Sequence, residues 1–75
     1  MKNIQNFTAI IEKENDGFAA LCPELDIASQ GNTVEEAKSN LQEAIELFFE
    51  HASKDEIASR LKTDVFITNV QIAVA

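Results

Sequence analysis

Few side chains in this sequence are suited to catalysis, and their spacing decides what each one can do. His51 is the only histidine. Acid–base work would need a nucleophile or an acid held within hydrogen-bond reach of it, and spacing identifies no such partner. A structural or surface role fits better, near the end of a helical stretch, where an imidazolium meets the negative end of the helix dipole. Cys22 is the only cysteine, which excludes an intrachain disulfide, leaves an intermolecular bridge open and fits a reducing compartment. In an apolar run ahead of Pro23 it reads as a small core residue rather than a nucleophile. Carboxylates are abundant, and a metal-dependent nuclease gathers several of them around one or two Mg²⁺ ions. Asp16 and Asp26 stand at strand ends where such sites occur, yet Asp favours turns on its own account. The sequence has no DxD or ExxH spacing and no glycine-rich phosphate loop. The expectation is a protein that is not an enzyme and holds no metal or cofactor.

The elements that position these residues follow from hydrophobic period. Phe7 to Lys13 alternates as a strand, with Phe7, Ala9 and Ile11 on one face and Thr8, Ile10 and Glu12 on the other. Asp16-Gly17 supplies a hairpin turn with positive φ, and Phe18 to Cys22 returns until Pro23 removes a ladder donor. Asp26 to Gln30 forms a third strand, giving a meander in which Ile10, Leu21 and Ile27 share the face opposite Phe7 and Phe18. Gly31 lets the chain turn sharply into a helix. There Thr33 and Glu36 make a capping box, the Thr hydroxyl accepting from the Glu36 N–H and the carboxylate reaching back to the N–H of Thr33.

The helix carries a buried stripe of Val34, Ala37, Leu41, Ala44, Ile45, Phe48 and Ala52, flanked by Leu47 and Phe49. Ser53-Lys54-Asp55-Glu56 repeats the cap and opens a shorter helix with Ile57, Ala58 and Leu61. Val65 through Val74 then alternates as a final, nearly uncharged strand, which at an open edge would invite aggregation and so should be covered. The expected fold is one α+β domain over residues 1–75, in β-β-β-α-α-β order, with the long helix packed on one face of a small antiparallel sheet.

Seventy-five residues bury only about 60% of the unfolded surface. Without disulfides or metal to compensate, such a chain is expected to self-associate, as a homodimer or larger homo-oligomer. Ile10, Leu21, Leu47, Phe49, Phe66 and Val70 are the candidate interface residues. Thirteen Asp and Glu against six Lys and Arg give a net charge of −7, with Lys2, Lys13, Lys38, Lys54, Arg60 and Lys62 scattered along the chain. That balance argues against direct nucleic-acid binding and suits either a basic protein partner or simple solubility. The opening Met1-Lys2-Asn3-Ile4-Gln5-Asn6 lacks the apolar run of a signal peptide, and no segment reaches the roughly 18 apolar residues of a membrane span, so a cytoplasmic location is expected.

Several of these pieces recur together. Phe7 to Glu14, Asp16-Gly17-Phe18, Ala20 to Asp26, Ser29 to Ala37, Asn40-Leu41 and Glu43 to Leu47 form an ordered set that resembles the HicB family of antitoxins over more than half of the chain. The resemblance implies a reduced ribonuclease H-like fold without its catalytic site. It also implies a protein that assembles into dimers or larger species and covers the active site of a small basic HicA-type toxin ribonuclease. Full-length members also carry a DNA-binding segment. Ser53 to Ala75 has neither the basic patch nor the recognition helix this requires, so operator binding is not expected. If the toxin docks through charge, Glu35, Glu43, Glu46 and Glu50 on the wet side of the helix are the expected contacts. The alternative is a stand-alone homo-oligomeric interaction module with no toxin partner.

Overall fold

The computed structural model describes residues 4–75. The leader reading at Met1–Asn3 and the cation Lys2 lie outside the described residues. Three strands, β1 (Ile10–Glu14), β2 (Gly17–Cys22) and β3 (Ile27–Gly31), form an antiparallel meander in the order β1-β2-β3. Two helices follow, α1 (Val34–His51) and α2 (Lys54–Arg60), so the molecule is a small α+β domain.

Register assigns the faces. Ile11, Ala20 and Ser29 stand in one row, as do Cys22 and Ile27, and these rows face α1; Ile10, Leu21 and Ala28 form a row on the opposite side. Ile27 therefore belongs to the core side and not, as expected, beside Ile10 and Leu21. The fully buried core is Ala20, Cys22, Leu25, Ala37 and Leu41, with Phe7, Ile11, Phe18, Ile27, Ile45, Phe48, Phe49 and Leu61 packed around it.

Three local expectations change. The first strand starts at Ile10 rather than Phe7. Continuing the β1–β2 register would set Thr8 opposite Pro23, which has no N–H, and the Thr8 N–H is already bonded to the Glu24 carboxylate. The hairpin turns on Asn15-Asp16, between the paired Glu14 and Gly17, and none of these residues has positive φ. Gly17 is needed for space instead: a Cβ there would lie 2.5 Å from the Gly31 carbonyl oxygen. Gly31 likewise has no positive φ, and its Cβ would lie 2.5 Å from the Ala37 nitrogen. Its missing side chain is what lets β3 pass directly against the first turn of α1.

The helix caps form largely as their residues dictate. The Glu36 N–H donates to Thr33 Oγ1 at 3.0 Å, and the Glu36 carboxylate accepts from the Asn32 N–H at 2.9 Å, one residue before the expected Thr33. Ser53 accepts from the Glu56 N–H at 3.1 Å and starts α2.

The expected final strand does not form a ladder. The Lys62 N–H donates to the Glu24 carbonyl at 2.7 Å, and beyond it residues 64–75 run away from the sheet without strand pairing. The period of Val65–Val74 gives the segment two faces but supplies no neighbour, and a strand exists only through its partner's hydrogen bonds. The molecule is elongated as a result, 51 × 29 × 21 Å, with a Cα radius of gyration of 14.6 Å. A compact chain of this length would measure about 11 Å.

Candidate functional site

The acidic candidates are brought together by helical geometry. At 100° per residue, Glu35, Glu43, Glu46 and Glu50 fall within an arc of about 80° along roughly 22 Å of α1. All four are exposed, on the side of α1 that faces away from Ala37 and Leu41. The arrangement is a negative stripe on a rigid element, open to a large partner and suited to steering a cation-rich surface. Leu47, 48% exposed, borders the stripe.

The apolar candidates do not form one patch. Ile10 and Leu21 are cross-strand partners on the sheet face remote from α1, where Leu21 is 37% exposed. Phe49 is half-buried and engaged within its own chain, with ring centroids 5.6 Å from Phe7 and 5.4 Å from Phe48. Phe66 and Val70 stand almost fully in water, at 88% and 78% exposure.

A polar cluster that residue spacing does not reveal lies at the β2–β3 loop. The Thr8 N–H donates to both oxygens of the Glu24 carboxylate at 3.0 and 3.2 Å, and the Thr8 hydroxyl donates at 2.6 Å. Burial alone would raise the Glu24 pKa, but the Thr8 bonds outweigh it and hold the carboxyl below its ordinary value. The Cys22 thiol donates to the same carboxylate at 3.4 Å. Burial, reinforced by Glu24, pushes that thiol up, which makes it a poor nucleophile at neutral pH and a good core residue. On the loop's other side Arg60 donates to the Leu25 carbonyl through Nε and Nη2, at 3.2 and 3.0 Å, and to the Asp26 carbonyl at 3.0 Å. Its guanidinium also lies 5.3 Å from the centre of the Phe48 ring. Asp26, at φ 55°, takes the left-handed conformation that Asp tolerates better than most residues. Every partner in this cluster is internal, so its role is to tie α2 to the sheet.

His51 is exposed in the last turn of α1. Among the described residues no group of three or more His, Cys, Asp or Glu is placed to hold a metal ion. No helix among them is long and apolar enough to cross a membrane.

Comparison with known proteins finds relatives of similar size. Over 68 residues, 89% of this chain and 94% of the relative, the sequence is 41% identical to a Helicobacter pylori protein named UPF0150 protein. It is 53% identical over 51 residues to UPF0150 protein ssr1765 of Synechocystis sp., a stretch that spans 65% of each chain and so just under two thirds of that relative's length. A second Synechocystis protein, UPF0150 protein ssl0738, is 48% identical over 50 residues, 64% of this chain and 69% of its own. No protein-family model matches the chain, and no solved structure matches it.

Proposed function

This chain belongs to the UPF0150 family of small proteins, and from its acidic helix face and the resemblance of its ordered motifs to the HicB family we propose that it is a non-enzymatic, HicB-like antitoxin of the cytoplasm. Its target is a small basic toxin ribonuclease of the HicA type, which it occludes by docking. The supporting observation is the stripe of Glu35, Glu43, Glu46 and Glu50 on the solvent face of α1, carried by a chain of net charge −7 whose ordered motifs resemble that family. An acidic helix face of this kind matches a basic RNA-binding surface in sign, so docking there would compete directly with the substrate's phosphates.

The test is co-expression with the adjacent gene, followed by pull-down and growth rescue. A short basic product that arrests growth alone and is neutralised by this protein is expected. Replacing all four glutamates by glutamine should slow association by at least tenfold at low salt and flatten its salt dependence. An association rate insensitive to both salt and substitution would remove the electrostatic docking mode, and failure to rescue would remove the antitoxin reading. A second reading, a stand-alone homo-oligomeric module, is favoured by the apolar side chains left in water at Leu21 and Leu47. It predicts stable self-assembly and no neighbouring basic reading frame.

A further inference from the structure

We propose that residues 65–74 are an exchange arm, which adds as an extra strand to the β1 edge of a second copy of this chain and receives that copy's arm in return. The segment has a strand's period, with Phe66, Thr68, Val70, Ile72 and Val74 alternating against Ile67, Asn69, Gln71 and Ala73. Its backbone is in no helix or strand, and Phe66, Ile67, Val70, Ile72 and Val74 are between 60% and 88% exposed. An uncharged apolar strand held in water is a pairing surface without a partner. Its own sheet does not supply that partner. The chain is tied to the β2–β3 loop through Arg60 and Lys62, and beyond that tie it makes no ladder with β1, β2 or β3.

The acceptor lies on the same molecule. The edge at β3 is five residues long, and the Gln30 carbonyl there already accepts from the Asn40 side chain at 2.8 Å. The edge at β1 continues into residues 4–9, and beside it an open groove runs between that segment and α1, lined by Phe7, Leu41, Ile45 and Phe49. A strand added at this edge would hydrogen-bond to β1 and lower one row of alternate side chains over the groove. Length agrees: ten arm residues span about 33 Å, and residues 4–14 about 36 Å.

Charge and symmetry select the occupant. Two copies at −7 repel each other, yet residues 65–75 contain no ionisable side chain, so the arm is the part of the chain that approaches another copy at least electrostatic cost. Donor arm and acceptor edge on one chain make a two-fold exchange self-complementary, with about 20 residues contributed per side, the scale of a standard stable interface. The acceptor groove also carries Glu46 and Glu50, so a seated arm would cover one end of the acidic stripe; the mass of the protein measured alone reads the exchange without reference to any toxin.

Light scattering on the full chain at micromolar concentration should give twice the 8.3 kDa chain mass. Val70→Pro and Gln71→Pro remove adjacent N–H groups that point to opposite sides of a strand, so one of the two must delete a ladder donor to β1 and should halve the mass, while both leave the helical circular dichroism unchanged. In a mixture of isotope-labelled and unlabelled protein, interchain nuclear Overhauser effects should connect residues 66–74 with Ile10–Glu14. A wild-type monomer, including one whose arm folds back on its own β1, overturns the proposal. So does a dimer that survives both proline substitutions, as contact through Ile10 and Leu21 would, or interchain contacts mapping to β3.

Discussion

Four consecutive residues, Pro23 to Asp26, hold more of this molecule together than their place in a loop suggests. Glu24 binds the start of the chain through Thr8 and its continuation through Lys62, Leu25 fills the core, and the Leu25 and Asp26 carbonyls receive Arg60. Because the folded state holds the Glu24 carboxyl below its ordinary pKa, its contribution is present above the ordinary carboxyl range and is lost as pH falls through the lower folded value. Thr8→Val, which keeps the backbone N–H and deletes the hydroxyl, should therefore lower the urea midpoint at pH 7 and narrow the gap between pH 7 and pH 3; an unchanged gap would show that the Thr8 hydroxyl does not hold the carboxylate. Arg60→Ala removes a charged donor from three carbonyl contacts and should cost roughly 2–3 kcal/mol in urea unfolding. Arg60→Lys, which keeps the charge but loses the planar fork, should cost about half as much. The Pro-Glu-Leu string is visible in the sequence as a break after a strand. Its role as a hub is not, because Thr8 and Arg60 lie 16 and 35 residues from the atoms they bind.

Elements whose causes are local were legible, and those that depend on a distant neighbour were not. The cap at Thr33 needs only Glu36, three residues on, and it forms. Thr33→Ala should accordingly cost about 1 kcal/mol of unfolding free energy. The meander and most of the stripe of α1 follow from period in the same way, but Val34, expected in the stripe, stands 41% exposed in the first turn. Gly31 illustrates the other case: its φ is ordinary, and what requires glycine is the backbone of Ala37 pressing on it after the chain has turned back. Since the atom in the way is main chain and cannot swing aside, Gly31→Ala should destabilise by roughly 1–3 kcal/mol, more than deleting the cap beside it. A reversed order in paired thermal or urea melts would contradict the close approach. The stripe of four glutamates was legible from spacing for the same local reason. The apolar candidates were not sorted by spacing, because only three-dimensional packing separates Phe49, engaged with Phe7, from Phe66 in water.

At the scale of the whole molecule the notable quantity is how little is buried. Of the five core residues, Ala20, Ala37 and Cys22 are small, leaving Leu25 and Leu41 as the large side chains fully removed from water. A domain of this size is expected to have roughly 4–11 kcal/mol of stability, and Leu25→Ala alone should remove about 2–5 kcal/mol of it. Meanwhile Phe66, Ile67, Val70, Ile72 and Val74 contribute nothing to the chain's own core. If association buries them, folding and assembly become one equilibrium, and the thermal midpoint must depend on concentration by mass action. The midpoint should thus rise by several degrees between 1 and 100 μM, while the double variant Val70→Pro and Gln71→Pro should melt lower and at the same temperature across that range. A wild-type midpoint that stays flat over a hundredfold dilution would show that the thin core is sufficient by itself, and that the exposed row serves a partner other than a second copy.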